Sequence, residues 1–268
     1  MPVCAWLKPW VGTCDKCQAC KACKACIVRC KSCTPDATWE AVWPEGSIPR
    51  AFILPSVPPP NDQEAMAACA VNACATAASY AMEQSGHKNV HVSRLFLYYN
   101  TRRYVMHVAK LTRDTGCCLK DVCKAAVTMG VCDEALWPYK KNLLGCEPPV
   151  QVYIAAQGMP RLSSFRVRQV LADMVSCLLN NHPIMMGMSV FTNISDAAKN
   201  GVMTMPTEQD THLGDHAVLV CGYDLDTRTF TLLNCWGETW GNHGFFEVPM
   251  AFALNRRFCW DLWMFSCE

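Results

Sequence analysis

The stretch FTLLNCWGETWGNHGFFEVP, residues 230–249, decides the fold more than any other part of this chain. Its apolar start predicts a short strand that Asn234 ends, and Trp236 and Trp240 are each followed by a glycine. An amide oxygen at Asn234 could accept the N–H of an imidazole and fix its tautomer, while an indole shields that bond from water. Taken alone, the stretch is equally typical of an aromatic-rich turn.

The candidate partner histidine is His216, in LGDHAVLVCGYD at residues 213–224. It directly precedes the apolar run Ala217–Val220, so we expect a strand to begin at His216 and hold it rigidly, which suits a general base. The ordinary alternative is a solvated loop histidine or a hydrogen-bonded core histidine. That alternative is assigned to the remaining histidines: His87, His91, His107, His182, His212 and His243.

The candidate nucleophile is Cys69, in NDQEAMAACAVNA at residues 61–73. Small and apolar residues recur at helical spacing from Cys69 onward, and Asn61 and Asp62 are the predicted caps of that helix. Unpaired backbone N–H groups at a helix start favour a negative charge, and a thiol is a nucleophile only as thiolate. A buried structural cysteine is the alternative, and Cys74, further inside the same helix, is the internal comparison.

Further elements follow from periodicity. Leu119–Met129 and Val170–Leu179 are predicted amphipathic helices. The predicted strands, separated by Gly and Asp or Asn turns, are Met185–Val190, Ala217–Cys221, Phe230–Leu233 and Phe245–Val248. Helices in the first half and an antiparallel meander in the second indicate an α+β protein with two subdomains and a cleft between them.

These three stretches resemble motifs of the papain family of cysteine peptidases, and the resemblance extends over about residues 50–265. The stretch 230–249 is similar to the family signature NSWGxxWGxxGY, with Cys235 in place of Ser and Phe245 in place of Tyr. DHAVLVCGYD is similar to the family's histidine block, and NDQEAMAACAVNA to the DQGxLGSCTANA form of some bacterial and viral members. Three shorter segments also resemble that branch, whose members have short or absent inhibitory propeptides: SRLFLYYNTRR, GVCDEALWPY and GVMTMP.

The resemblance implies a papain-like fold, with a helical N-terminal half, an antiparallel β-rich C-terminal half and the active site in the cleft between them. It implies a cysteine endopeptidase in which Cys69 is the nucleophile, His216 the base and Asn234 the orienting amide. Gln63 matches the oxyanion-hole glutamine, which acts with the Cys69 N–H on the tetrahedral intermediate. The reaction proceeds through a thioester acyl-enzyme and needs no cofactor.

Substrate binding is assigned to Gly116, in DTGCC, and to Trp236, although the family's second glycine beside Gly116 is absent. The sequence also departs from the family next to the nucleophile, at Glu64, Ala67, Ala68 and Ala70. We expect Ala67 to impose strain or narrow the oxyanion hole, and the carboxylate of Glu64 to oppose thiolate formation if it points inward.

These departures keep other functions open. One is a catalytically degenerate papain-like scaffold that acts as an interaction or metal-binding protein. Another is a related Cys–His acyl transfer such as isopeptide cleavage.

Composition narrows the partners and the location. The 268 residues are 51% apolar and carry a formal net charge of +1, so no long-range field favours nucleic acid or an anionic membrane. The expected partner is therefore a protein or peptide substrate. The first residues do not read as a secretory signal and no long apolar run predicts a transmembrane segment, so we expect a cytoplasmic or intracellular protein. The branch resemblance is compatible with a viral origin.

The N-terminal segment differs from the rest of the chain in its cysteine content. Of the 20 cysteines, eight precede residue 34, and one recurs at every third position from Cys14 to Cys26. We predict a cysteine-rich extension over 1–40 and a peptidase domain over 41–268, with a helical subdomain at about 61–160 and a β-rich one at about 161–268.

The extension also holds a candidate metal site. The spacing CxxCxxCxxxC, suited to zinc or an iron–sulfur cluster, is formed by Cys20, Cys23, Cys26 and Cys30. A thiol-rich arm without metal and cysteine acylation for membrane attachment are the alternatives.

Overall fold

The structure, a computed structural model, describes Thr38, Trp39, Ala41 and residues 48–267. The helices are α1 (Cys69–Gln84), α2 (Arg94–Asn100), α3 (Leu119–Met129), α4 (Val150–Gly158), α5 (Leu171–Leu179), α6 (Ile194–Asn200) and α7 (Met250–Ala253). The strands are β1 (Ala51–Ile53), β2 (Leu162–Arg166), β3 (Ile184–Phe191), β4 (His212–Asp224), β5 (Thr229–Leu233), β6 (Phe245–Pro249) and β7 (Cys259–Cys267). Residues 1–37, which make up most of the predicted cysteine-rich extension, lie outside the described residues.

Helix α1 lies at the centre of the domain because most of its residues are small or apolar. Every residue from Ala70 to Met82 is buried, as expected of a helix that other elements surround. It packs against strands β4 and β7 of the sheet and against helices α2 and α3. This packing fixes the direction of α1, and with it the position of Cys69 at its first turn.

The start of α1 differs from the prediction. Its N-cap is Ala68, which makes no side-chain capping bond. Asp62 instead accepts the N–H of Glu64 within a preceding turn, at 2.7 Å, and Asn61 Nδ2 donates to Oγ1 of Thr76 inside α1, at 3.0 Å. The predicted caps are therefore wrong, because this turn separates both side chains from the first helical residue.

The strands form one antiparallel sheet in the order β2-β7-β3-β4-β5-β6, and β1 also pairs with β4. Consecutive strands β3 to β6 are neighbours, which confirms the predicted meander. Strand β4 is longer than predicted. It begins at His212 and not at His216, because residues 212–215 pair with the end of β3. These residues alternate in polarity too little to predict a strand from sequence.

The predicted α+β class is confirmed. Helices α1 to α4 precede strand β2, and six of the seven strands follow α4. Helix α1 packs against β4, and the Cys69 thiol at its first turn lies beside Ala217 of that strand, so the candidate nucleophile lies where the helical and sheet parts join. Within the described part of the chain, no helix is long and apolar enough to cross a bilayer.

Candidate active site

Cys69 begins α1 and its side chain is partly exposed, as a nucleophile requires. Burial raises the pKa of the Cys69 thiol, and hydrogen bonds from the backbone N–H groups of Ala217, Ala70 and Cys69 itself lower it. Two of these groups belong to the helix start, as the sequence predicted. The third, Ala217, directly follows His216 in strand β4, so the thiol lies beside the segment that carries the histidine.

His216 is only 8% exposed. Its Nε2 atom is 2.8 Å from Oδ1 of Asn234, the residue that follows strand β5. The same oxygen accepts the N–H of Cys235 at 2.8 Å, which orients the amide so that Oδ1, and not Nδ2, faces the imidazole. Burial lowers the pKa of His216 to about 4, while the bond to Asn234 acts in the opposite direction.

Trp236 covers this pair. Its ring centroid is 4.6 Å from that of His216, with 31° between the planes, and it makes a T-shaped contact with Trp240 at a centroid distance of 5.1 Å. Water is therefore kept from one side of the imidazole, as the sequence pattern indicated. The substrate-binding role of Trp236 stays a prediction.

Gln63, the candidate oxyanion-hole residue, is hydrogen-bonded to Cys235. The Cys235 thiol donates to Oε1 of Gln63 at 3.1 Å, and the two backbones are joined by a bond from Gln63 N to Cys235 O at 2.9 Å. One N–H of the Gln63 amide donates to the Met66 carbonyl at 2.8 Å. Because the amide nitrogen has two hydrogens, a second N–H remains for a substrate oxygen.

Gly116 lies against the turn that leads to Cys69. It adopts φ +70°, and a Cβ at this position would lie 3.6 Å from the Ala67 carbonyl oxygen. Two neighbours tie the segment down: Asp114 Oδ2 accepts the Ala67 N–H at 2.8 Å, and the Tyr98 hydroxyl accepts the Gly116 N–H at 3.0 Å. Its position is compatible with the predicted contact to an extended peptide, which stays a prediction.

The departures from the family pattern have different consequences from those expected. Ala67 is not among the non-glycine residues with positive φ, so the predicted strain at that residue is wrong. Glu64, where the family has glycine, does adopt φ 52°. Its side chain is exposed, and the groups that set the pKa of the Cys69 thiol do not include it.

Metal binding receives no support from the described residues, in which no group of three or more His, Cys, Asp or Glu is placed to hold an ion. The candidate zinc ligands Cys20, Cys23, Cys26 and Cys30 lie outside the described residues. All cysteines within the described range are free thiols.

The structure therefore brings together five of the residues singled out from sequence, Gln63, Cys69, His216, Asn234 and Trp236, and places Gly116 beside them. Sequence reasoning missed the parts of Cys235, Asp114 and Tyr98. Cys235 was visible as the substituted position of the signature. Asp114 and Tyr98 gave no signal, because their contact joins segments that are distant along the chain.

An α+β fold that sets a thiol at a helix start beside a histidine held by an amide is the architecture of a cysteine peptidase. The family model described as "Papain family cysteine protease" matches residues 50–255. The chain therefore belongs to the papain family, and it is a cysteine peptidase.

Individual relatives agree. An uncharacterized peptidase C1-like protein of Acanthamoeba polyphaga mimivirus is 29% identical in an alignment of 222 positions that covers 79% of this chain and 70% of that protein. Among solved structures, xylellain, a cysteine protease from Xylella fastidiosa, superposes with a TM-score of 0.79 at 26% identity, covering 87% of this chain and 92% of that chain. Procathepsin B from Trypanosoma congolense shares the fold, with a TM-score of 0.61 at 16% identity over 84% of this chain and 79% of that chain.

Proposed function

We propose that this chain is a cysteine endopeptidase in which Cys69 is the nucleophile, His216 the base and Asn234 the residue that orients the base. The observation that carries the proposal is the 2.8 Å contact between His216 Nε2 and Asn234 Oδ1, together with the closeness of the Ala217 N–H to the Cys69 thiol, whose pKa it lowers. The first leaves Nδ1 of His216 as the nitrogen for proton transfer, and the second brings the thiol next to that residue.

The proposed reaction begins with transfer of the Cys69 proton to His216. The thiolate forms a C–S bond to the peptide carbonyl carbon, and the carbonyl oxygen takes the negative charge between the Cys69 N–H and the free N–H of Gln63. Collapse of this intermediate breaks the C–N bond, and His216 gives its proton to the leaving amine. Water then loses a proton to His216, attacks the thioester and releases the acid and the thiol.

The surroundings of the pair set its charge. Burial raises the pKa of Cys69 and lowers that of His216, so desolvation alone favours a neutral thiol beside a neutral imidazole. Attraction between thiolate and imidazolium opposes this, and it is strong in a water-poor site. Helix N–H groups at Cys69 and the amide of Asn234 favour the ion pair on its two sides.

The alternative is a degenerate scaffold, favoured by the positive φ of Glu64 next to the oxyanion-hole glutamine. The two functions predict the same fold and differ at the thiol. A peptidase needs Cys69 to be alkylated selectively, whereas a scaffold allows Cys69 to react no faster than Cys74. Cys74 is fully buried in the same helix, so it serves as an internal comparison.

The first test is labelling of the intact protein with a small epoxide or haloacetamide, read by peptide mass spectrometry, in wild type and His216→Ala. We expect rapid labelling of Cys69 that His216→Ala abolishes. Labelling of Cys69 that is equally slow in wild type and in His216→Ala would support the scaffold instead.

The second test addresses the reaction. Internally quenched peptides with both ends blocked report endopeptidase cleavage, because an enzyme that needs a free terminus cannot use them. We expect wild type to cleave members of such a library and Cys69→Ala to cleave none. Cleavage that persists in Cys69→Ala would contradict the assigned nucleophile.

A further inference from the structure

The Asp114 carboxylate joins two segments that the reaction would need at a fixed separation. Its Oδ2 accepts the N–H of Ala67, in the turn before Cys69, at 2.8 Å. Its Oδ1 accepts the hydroxyl of Tyr98. That hydroxyl in turn accepts the N–H of Gly116 at 3.0 Å. A continuous path of hydrogen bonds therefore runs from the nucleophile turn to the predicted substrate-binding glycine.

The buried Arg102 contacts Tyr98 on this path and Arg113 next to it. Arg102, which is 1% exposed, donates from Nη2 to the carbonyl of Arg113 and places its guanidinium 4.7 Å from the centre of the Tyr98 ring. Burying an arginine costs free energy unless hydrogen bonds, an aromatic face or an anion compensate it. Arg102 thus contacts both Arg113, the residue before Asp114, and the Tyr98 ring, whose hydroxyl donates to Asp114.

We propose that Asp114 is a positioning residue, a single carboxylate that keeps the turn before Cys69 and the segment around Gly116 in register. The proposal rests on the proposed function, since it assumes that Cys69 is the nucleophile and that peptide lies along Gly116. An error of about 1 Å in the placement of reacting groups can cost about 100-fold in rate. A link between nucleophile and substrate segments therefore acts directly on catalysis.

The chemistry of the link explains why it needs a carboxylate. Both oxygens of an ionised carboxyl group accept, so one side chain can receive the Ala67 N–H and the Tyr98 O–H together. An asparagine has one accepting oxygen, for the Ala67 N–H, and its NH₂ group can meet the Tyr98 hydroxyl only as a donor, so the hydrogen bonds to a charged acceptor are lost. Asp114→Asn should therefore weaken the link, and Asp114→Ala should remove it.

This ordering gives the kinetic test, made on the full chain with a blocked fluorogenic peptide. We expect kcat/KM to fall about 10-fold in Asp114→Asn and about 100-fold in Asp114→Ala. Tyr98→Phe should raise KM several-fold with little change in kcat, because it releases only the Gly116 side. Equal losses in the two Asp114 variants would mean that charge and not bridging matters, and would overturn the proposal.

A double-variant cycle tests the connection between the two segments. If Asp114 and Tyr98 form one link, breaking it a second time costs less, so Asp114→Ala with Tyr98→Phe should lose less than the product of the single losses. Strictly multiplicative losses would show two independent contacts. The matched control is Asp133→Asn, since Asp133 also joins two backbone segments, at Ala135 and His91. We expect it to leave kcat/KM unchanged.

Hydrogen exchange separates this proposal from the proposed function, because it needs no activity. In Cys69→Ala, adding Asp114→Ala should speed exchange in the peptides that contain Ala67 and Gly116, and adding Asp133→Asn should not. Unchanged exchange at both Ala67 and Gly116 would overturn the positioning role, whether or not the wild-type protein cleaves substrate peptides. Faster exchange in this background, together with a wild-type protein that cleaves no peptide, would uphold the link and refute the peptidase.

Discussion

A single amide oxygen connects the candidate base to the fold. Asn234 Oδ1 receives the Cys235 N–H and contacts His216 Nε2, at 2.8 Å each, and the bond to His216 raises the pKa of that imidazole. In Asn234→Ala the pKa of His216 should fall further. The thiolate–imidazolium pair would then be lost at a lower pH, so the alkaline limb of the kcat/KM profile should move to lower pH.

The size of that effect is also predictable. We expect kcat/KM at neutral pH to fall by about 10- to 100-fold in Asn234→Ala, as for loss of one group that orients a catalytic base. Asn193→Ala is the matched control, because Asn193 is a buried asparagine that bonds the Thr204 carbonyl outside the site. A pH profile that shifts equally in both variants would mean a general effect of losing a buried amide.

Strain at Glu64 gives a second prediction for a single residue. Its φ of 52° is one that glycine adopts freely and glutamate does not. Glu64→Gly should therefore stabilise the protein by about 1 kcal/mol, measured by urea unfolding. Asn89 has a similar φ of 58°, but asparagine tolerates this region, so Asn89→Gly should gain less. Equal gains would remove strain as the explanation.

A site residue could be predicted from the sequence when the pattern that marks it lies in the residues next to it. Short motifs contain Cys69, His216 and Asn234, and the flanking residues of these motifs predict a helix start, a strand and a strand end, respectively. Asp114 and Tyr98 stand in no such motif. Their functional meaning depends on a contact between residues 16 positions apart, which only the folded chain brings about.

Among the elements, α1 has the least tolerance for added volume. Ala78 is fully buried there, in a helix surrounded by β4, β7, α2 and α3. Ala78→Leu should destabilise the protein by about 1–3 kcal/mol, because no neighbouring element can move away without separating the sheet from the helices. Glu83→Leu, at an exposed position of the same helix, should stay within about 0.5 kcal/mol of wild type in the same urea measurement.

Element boundaries were predictable where the apolar pattern coincides with pairing. Helix α3 begins at Leu119 and ends at Met129 as predicted, since Gly130 with φ +76° ends it. Strand β4 extends beyond its apolar run because β3 continues to pair with residues 212–215. Pairing partners, and not side-chain pattern, decide such extensions.

For the whole molecule, the order of the sheet is the part that sequence could not supply. Strands β3 to β6 follow the chain, but β7 inserts between β2 and β3. Nothing local to residues 259–267 distinguishes that position from a position at the other edge of the sheet, beside β6. The outcome is that α1 packs against β4 and β7, the two neighbours of β3 in the sheet.

Two histidines whose pKa is lowered in the folded state should make the stability of the whole fold depend on pH. Burial lowers the pKa of His182, and that of His216, to about 4, whereas histidines of an unfolded chain take up protons near pH 6.5. Between pH 6.5 and 4 the unfolded state therefore binds more protons than the folded state. The free energy of unfolding should fall as the pH is lowered through this range, and His182 should contribute up to about 3 kcal/mol of that loss. His216 should contribute less, to the extent that its ion pair with the Cys69 thiolate keeps it protonated.

His182 offers a test that leaves the candidate catalytic residues intact. Its ring meets Trp39 edge-on, with centroids 5.5 Å apart, so His182→Phe keeps an aromatic contact and removes the titrating group. Urea unfolding at pH 7 and at pH 4.5 should show a smaller loss of stability in this variant than in wild type. His87→Phe replaces an exposed histidine and should keep the wild-type loss. An unchanged loss in His182→Phe would mean that the acid sensitivity arises elsewhere, with His216 the next histidine to test.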